Sequence, residues 1–461
     1  MSFASQVKAA FEPIYCRLPR RILAGKVYVQ FKKLLEDSQY WDETRHREFQ
    51  GKALRAMLET CARNVPYYRD LFREIGFDPR CVRDVSDMAA VPFLDKETVR
   101  AQSDRLLAEH VSPRMRLYLT TGGTMGTPLG FYCLIESGWR EKAFMDAQWA
   151  RVGFKPEHTR AVLKGAVITN DRHWKYDARE RAYLLSSFHL TPENAAEYAR
   201  LIRSRSIRYL HTYPSAALDF ARNLQTAGVE IPQFRVVFAG SENMYSGQRE
   251  AIEKLYGCRV YTWYGHSENV VMAGECEVST SYHVFPEYGA VEVIKEDGTC
   301  ATQEGEVGEL VGTSLFNTAM PLVRYRTGDW AVLGPKRCSC GRSYRLLSET
   351  RGRWFQEMFV GKEGNFISIT AVNMHSDLFD HVQQYQFHQK EPGRAVLRIV
   401  RGPEYSERDS QNILKQLLAK VGDSMELRLE FWDEIPRTAQ GKFRFIVQEL
   451  PTPISLERDE V

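Results

Sequence analysis

Three stretches decide the fold: Tyr209-Leu210-His211-Thr212-Tyr213-Pro214-Ser215, Val236-Val237-Phe238-Ala239-Gly240-Ser241-Glu242 and Val260-Tyr261-Thr262-Trp263-Tyr264-Gly265-His266-Ser267-Glu268. Each opens with a short strand-like run, Tyr209–Tyr213, Val236–Ala239 and Val260–Trp263, that breaks near Pro or Gly. Helix-like stretches, Ala195–Arg203 and Ser215–Ala227, alternate with these runs. That alternation predicts an α/β fold with a mainly parallel sheet. In open α/β sheets ligands bind where strands end in turns. Gly240-Ser241-Glu242 and Tyr264 to Glu268 therefore fall on one expected rim.

Outward from this centre the texture changes twice. Residues 45–110 read as helical, with Ala53, Leu54, Met57, Leu58 and Cys61 at helical spacing until Val65-Pro66-Tyr67-Tyr68 breaks the pattern. Residues 289–334 are richer in β-type runs, Ala290–Ile294 and Gly308–Thr313, with turns such as Asp297-Gly298. From about 353 a strand (Val396–Val400), a helix (Ser410–Val421) and a further strand (Leu427–Phe431) fit a small α+β unit. The expected architecture is α/β: residues 1–352 form a large body of mainly parallel sheet plus a β-rich subdomain, largely helical over 1–115. Residues 353–461 form a small mobile α+β lid.

The bulk numbers narrow the function. A chain of 461 residues has room for two or three cores. Its 62 basic and 59 acidic residues leave a net charge of +3, which gives no electrostatic footprint for nucleic acid. No apolar run reaches the roughly 20 residues that span a bilayer. The first thirty residues mix Lys8, Arg17, Arg20, Arg21 and Lys26 with Phe11, Ile14, Tyr15 and Leu18, without the apolar core of a secretory signal. A helix docked on the body is favoured there over one lying on a membrane surface. Nine scattered cysteines without a leader read as reduced and cytoplasmic. Oligomeric state is not encoded legibly.

Four segments carry chemistry. Leu119-Thr120-Thr121-Gly122-Gly123-Thr124-Met125-Gly126-Thr127-Pro128 follows an apolar strand, Leu117–Leu119. Gly admits backbone N–H groups close to an anion and Thr adds hydroxyl donors, so the loop suits phosphates; a Gly/Thr-rich hairpin turn has the same composition. It lacks the Gly-Lys-Ser/Thr of a Walker loop. In the second segment, Tyr264 offers a face for a purine and Glu268 a carboxylate for Mg²⁺, against the alternative of an ordinary strand-to-loop transition. Third, Arg324-Tyr325-Arg326-Thr327-Gly328-Asp329 presents a short carboxylate at a Gly turn, suited to ribose hydroxyls. Fourth, Pro436-Arg437-Thr438-Ala439-Gln440-Gly441-Lys442-Phe443-Arg444 puts a compact ammonium on a turn of the lid, suited to charge developing between a carboxylate and an α-phosphate.

In this order and spacing the segments resemble the adenylate-forming (ANL) superfamily of acyl-CoA synthetases, luciferases and peptide-synthetase adenylation domains. Within it they resemble the phenylacetate–CoA ligase branch and its capsule-biosynthesis relatives. Asn64-Val65-Pro66-Tyr67-Tyr68-Arg69, Pro92-Phe93-Leu94-Asp95-Lys96, Pro321 to Asp329 and Cys338-Ser339-Cys340-Gly341-Arg342 carry that closer likeness, which covers roughly residues 45–445. The resemblance implies that Thr121, Gly123, Thr124 and Gly126 wrap the phosphates of ATP. It implies an adenine pocket from Gly240, Ser241 and Glu242 with Tyr264 and Gly265, Mg²⁺ on Glu268, and ribose on Asp329. Arg353 would assist near the hinge, and Lys442 would promote acyl-AMP formation. Gly122 and Met125 stand where the family carries hydroxyls. Trp354-Phe355-Gln356-Glu357 follows Gly352-Arg353 where it carries aspartates.

Cys276, His283, Cys338 and Cys340 are ligand types for a closed, structural zinc site. The Cys-x-Cys-Gly-Arg element resembles a zinc knuckle, though the two halves lie about 55 residues apart and unrelated buried thiols have the same pattern. The acid pocket implied by the fold lies beside His211-Thr212-Tyr213-Pro214-Ser215. There His211 either bonds a polar substrate or is satisfied locally, and Tyr213, Trp263 and Phe238 either line the pocket or belong to the core. The leading expectation is activation of a small-molecule carboxylic acid by ATP to acyl-AMP, with pyrophosphate released and the acyl group passed to CoA. An amide-bond ligase with an amine acceptor in polysaccharide or natural-product assembly is the alternative, and a non-catalytic nucleotide-binding scaffold the third.

Overall fold

A computed structural model describes residues 25–120, 129–166, 168, 173–242, 244, 247–351, 358–368, 377–379, 381–436 and 446–450. Thr121, Gly123, Thr124 and Gly126 of the phosphate loop, Arg353 and its hinge, Lys442, and the basic amphipathic segment before residue 25 lie outside the described residues.

The N-terminal third is helical, as its periodicity requires. The helix Glu43–Asn64 starts on Asp42, whose carboxylate accepts from the Arg45 N–H at 2.8 Å. It stops at Val65 because Pro66 opens the next helix, Pro66–Glu74. Leu54, Met57, Leu58 and Cys61 are fully or nearly buried on its inner face, against Tyr68 and Phe72.

Strands β1 (Arg116–Thr120) and β2 (Gly130–Leu134) pair antiparallel; the phosphate-loop segment lies between them in the sequence. The next twelve strands are β3 (Arg160–Lys164), β4 (Trp174–Asp177), β5 (Ala182–Ser186), β6 (Tyr209–Thr212), β7 (Val236–Ala239), β8 (Arg259–Gly265), β9 (Met272–Gly274), β10 (Tyr282–Val284), β11 (Gly289–Ile294), β12 (Val307–Ser314), β13 (Tyr325–Leu333) and β14 (Leu346–Arg351). They form one sheet in the order β11-β12-β13-β14-β10-β9-β8-β7-β6-β3-β5-β4. Strands β5, β3, β6, β7 and β8 are parallel; β4 and β9 to β14 run antiparallel to their neighbours.

The sequence separates an α/β body from a β-rich subdomain, whereas the structure joins them through β8. Residues 259–262 of that strand pair parallel with β7, and residues 263–265 pair antiparallel with β9. One strand thus belongs to both halves. Parallel strands covered on both faces read as unbroken apolar runs, and every residue of Val236–Ala239 is buried.

Beyond residue 358, β15 (Met358–Val360) and β16 (Phe366–Ser368) form a small hairpin. β17 (Val382–Glu391), β18 (Arg394–Arg401), β19 (Glu426–Phe431) and β20 (Ile446–Gln448) form a separate sheet in the order β19-β18-β17-β20. Its helix, Glu407–Val421, is held by a capping box between Ser406 and Asp409. The Ser424 hydroxyl donates to the Phe188 carbonyl at 3.0 Å, so this module touches the body beside β5. Among the described residues no helix is long and apolar enough to cross a membrane.

Candidate active site

The ends of β7 and β8 lie side by side, and Asp329 within β13 reaches the end of β8. Side chains alternate along β8, so Tyr264 and Trp263 point to opposite faces of the sheet. On the Tyr264 face its hydroxyl donates to Asp329 Oδ2 at 2.8 Å, across 65 residues of sequence. Burial, and then the Asp329 charge, push the Tyr264 hydroxyl well above its ordinary value, so it stays a donor. Asp329 sits where Gly328, at φ +75°, turns β13, and its N–H donates to Thr327 Oγ1 at 3.0 Å.

Glu268 lies one loop beyond and is buried. Its Oε2 is 3.0 Å from His266 Nδ1, and its Oε1 accepts from the Tyr325 hydroxyl at 3.0 Å. Burial alone would favour the neutral acid, but the His266 hydrogen bond, with the charges of His266 and Lys96, outweighs it and holds the carboxyl at about 2. A buried, permanently anionic carboxylate is the donor type a hard divalent cation requires.

Lys96 comes from Pro92-Phe93-Leu94-Asp95-Lys96, which docks on β13. Leu94 N–H donates to the Arg324 carbonyl at 3.0 Å, and Arg326 N–H returns to the Leu94 carbonyl at 2.9 Å. Arg324 is itself buried, forked onto Glu292 at 2.9 and 2.7 Å, and stacked on Phe93 at 4.2 Å. Two segments read separately in the sequence are one structural unit holding the rim.

At the β7 end, Gly240 passes so close to Trp263 that a Cβ there would come 2.8 Å from the indole. Only glycine fits. Ser241 follows in the left-handed region at φ 68° and is exposed. Glu242 turns away: its carboxylate accepts from the Ser215 N–H at 3.2 Å and hydroxyl at 3.1 Å, at the start of the helix Pro214–Thr226. Gly265 is exposed at the end of β8. Tyr213 is buried in the core beneath that helix start, and burial raises its hydroxyl. His211 is half-buried between Trp149 (5.1 Å) and Trp263 (5.4 Å), with its Nε2 buried and without a hydrogen-bond partner among the described residues. Burial, then the charges of Lys164, Arg160 and Lys142, hold this imidazole well below its usual range, hence neutral.

The four metal-type residues also meet. The ligand atoms of Cys276, His283, Cys338 and Cys340 all lie within 4.8 Å of one another. The antiparallel pairing of β10 with β9 and with β14 carries His283 beside the start of the Cys276 loop, which closes the 55-residue gap in sequence. His283 Nδ1 faces the Ser281 carbonyl at 3.1 Å, and Nε2 faces Cys340 Sγ at 3.3 Å. A ring nitrogen committed to a carbonyl leaves the other free to ligate. Burial, then Arg151, lower the imidazole to about 4, so it is neutral as a ligand must be. Arg342 follows on a turn at Gly341 and is locked to Glu277 at 2.8 Å.

Lys164 was not among the residues singled out in the sequence. The available signal was a lone lysine ending an apolar strand, Ala161-Val162-Leu163-Lys164-Gly165, at the end of a parallel sheet where ligands bind. His266 and Tyr325, the partners of Glu268, lie within the Tyr264–Glu268 and Arg324–Asp329 segments, where residue type alone does not mark them as supports of a carboxylate.

With this geometry in view, the similarities are consistent. Residues 359–449 match the family model of the CapK C-terminal domain. The chain is 21% identical to the protein CapK of Staphylococcus aureus over 92% of both chains. It is 25% identical to a phenylacetate–coenzyme A ligase of Thermus thermophilus over 87% of this chain and 96% of that one. Among solved structures it resembles 2-hydroxyisobutyryl-CoA ligase in complex with 2-HIB-AMP and CoA in the thioesterification state, with a TM-score of 0.58, 19% identity and coverage of 90% and 93%. The same ligase in the postadenylation state gives a TM-score of 0.57 at 19% identity, covering 89% and 91%. The chain is thus a homologue of CapK and of the phenylacetate–coenzyme A ligases, and its fold is that of the adenylate-forming acyl-CoA ligases.

Proposed function

We propose that this chain activates a carboxylic acid with ATP to an acyl-AMP, releasing pyrophosphate, and then passes the acyl group to the thiol of CoA. The observation that carries this reading is the pairing of Tyr264 on β8 with Asp329 on β13, beside the buried anionic Glu268. Tyr264 would offer its ring to adenine while its hydroxyl orients Asp329 toward the ribose, with Gly240, Ser241 and Gly265 bordering the base. Glu242, held at the helix start, would shape that border rather than touch the base. A divalent ion on Glu268 would supply neutralisation of phosphate charge. His266 and Tyr325 fix the carboxylate so that it meets the ion without reorganising.

The carboxylate oxygen attacks the α-phosphorus and the bond to the bridging oxygen of pyrophosphate breaks. The protein contributes positioning and charge. Thr121, Gly123, Thr124 and Gly126 are proposed to hold the phosphates, Arg353 to act at the hinge, and Lys442 to meet the developing charge. The 353–461 unit is proposed to be a lid that withdraws Lys442 before the thiol attacks. The four-residue Cys/His cluster is proposed to hold a structural zinc, since four protein ligands leave no open position.

The test is ATP–pyrophosphate exchange with a panel of carboxylic acids, followed by mass analysis of products with CoA and with amines. Exchange with at least one acid and a thioester product are expected. Exchange without a thioester, but with an amide, would replace CoA by an amine acceptor. No exchange with any acid would sink the activation reading.

A further inference from the structure

The opposite face of the same strand ends carries a lysine, an imidazole and an aromatic wall that the proposed nucleotide contacts leave unused, with Ser241 shared between the two faces. Lys164, the last residue of β3, reaches across the ends of β6, β7 and β8. Its Nζ donates to Ser241 Oγ at 3.2 Å and lies 5.0 Å from the Tyr213 ring and 5.9 Å from the Trp263 ring. Gly240 makes room for that indole, which lies 5.6 Å from Trp149. The wall is therefore aromatic, with one ammonium, one hydroxyl and one imidazole set into it.

The charges around Lys164 are already committed. Arg160 and Lys142 are both taken by Glu180, at 2.8 and 3.1 Å, and Lys142 also faces Asp146 at 3.6 Å. Glu242, the carboxylate that acts most on Lys164, is engaged by Ser215 through two hydrogen bonds. Among the described residues no carboxylate lies within ion-pair distance of Lys164. Burial consequently pushes its ammonium down to about 7, partly countered by Glu242. The neighbouring His211 Nε2 is buried and has no hydrogen-bond partner among the described residues. A half-buried cation and a buried ring nitrogen, both undercompensated and both beside the rim, are costly unless a ligand completes them.

We infer that Lys164, with Ser241 and His211, forms a subsite for a second carboxylate on the substrate, so that the acid activated by this chain is a small dicarboxylic acid. The inference rests on the reading that this rim activates a carboxylic acid. One carboxylate is adenylated at the Glu268 side while the other pairs with the Lys164 ammonium, and the aromatic wall packs the carbon chain between them.

The experiment uses the full chain and matched acids that differ by one distal carboxylate, such as butyrate and glutarate or phenylacetate and homophthalate. Wild type, Lys164→Met and Lys164→Arg are compared by ATP–pyrophosphate exchange. Wild type is expected to prefer the diacid in each pair. In Lys164→Met the diacid-to-monoacid ratio of kcat/KM is expected to fall about 30-fold or more, the low end for truncating one partner of a desolvated charge pair. Lys164→Arg should retain part of the preference. A wild-type preference for monoacids, or an equal loss for both acids in Lys164→Met, overturns the inference while leaving acid activation standing. Should no acid support exchange, activation itself fails. The subsite is then judged by tryptophan fluorescence: saturable diacid quenching in wild type and not in Lys164→Met supports it, and its absence or equality in the variant overturns it.

Discussion

Replacing Tyr264 by Phe tests the nucleotide rim with one oxygen atom. The ring that would stack on adenine stays, and the hydroxyl that donates to Asp329 at 2.8 Å is lost. A hydrogen bond to a charged group contributes about 1.5–3 kcal/mol, which converts to roughly a 10- to 150-fold weakening if it is spent on aligning Asp329 for the ribose. The assay is ATP–pyrophosphate exchange with ATP varied at saturating acid, alongside urea denaturation. KM for ATP should rise by about that factor, KM for the acid should stay within a few-fold, and stability should fall by about 1.5–3 kcal/mol, the net value of one hydrogen bond to a charged group. An unchanged KM for ATP in Tyr264→Phe, when Asp329→Ala raises it, would refute the argument that the tyrosine orients the carboxylate.

Further outcomes follow from the same geometry. Lys442→Ala should cripple acyl-AMP formation while leaving use of supplied acyl-AMP largely intact; equal losses in both half-reactions would contradict the lid. Arg324→Met should destabilise the chain by about 3–5 kcal/mol, because Glu292 is left charged and buried; a urea midpoint near wild type would remove the pair from the rim's support. Elemental analysis should find about one zinc per chain, and Cys338→Ser or a strong chelator should lower the melting temperature without moving KM for ATP. Lys164 gives a pH signature. Its folded value of about 7 lies below its ordinary 10.5, so the unfolded chain holds the proton more tightly and wild-type stability rises with pH across that window. Lys164→Met should be the more stable protein at pH 6, with the gap closing by about pH 10; a constant gap would mean the ammonium is not disfavoured.

Much of the arrangement was legible because it is local. Strand and helix periods placed β6, β7 and β8 within a residue or two, and Pro66 and the apolar face of Glu43–Asn64 fixed the helical start. The resemblance of four separated motifs pointed to one shared site; of their residues, Tyr264, Glu268 and Asp329 come together, while the phosphate loop and Lys442 lie outside the described residues. Periodicity could not show that β8 changes partners midway, because pairing direction is a property of two strands and not of one.

What the sequence alone determined is the inventory: which residue types stand at strand ends, which loop carries Gly and Thr, and which cysteines and histidine have ligand chemistry. Tertiary structure decided which of them share a space. Only the folded sheet brings His283 to Cys340 across 57 positions, turns Glu242 into a partner of Ser215, and leaves Lys164 without a counter-ion among the described residues while Arg160 and Lys142 find Glu180. The reason is range: secondary structure answers to neighbours along the chain, whereas burial and charge compensation depend on atoms that folding delivers from far away.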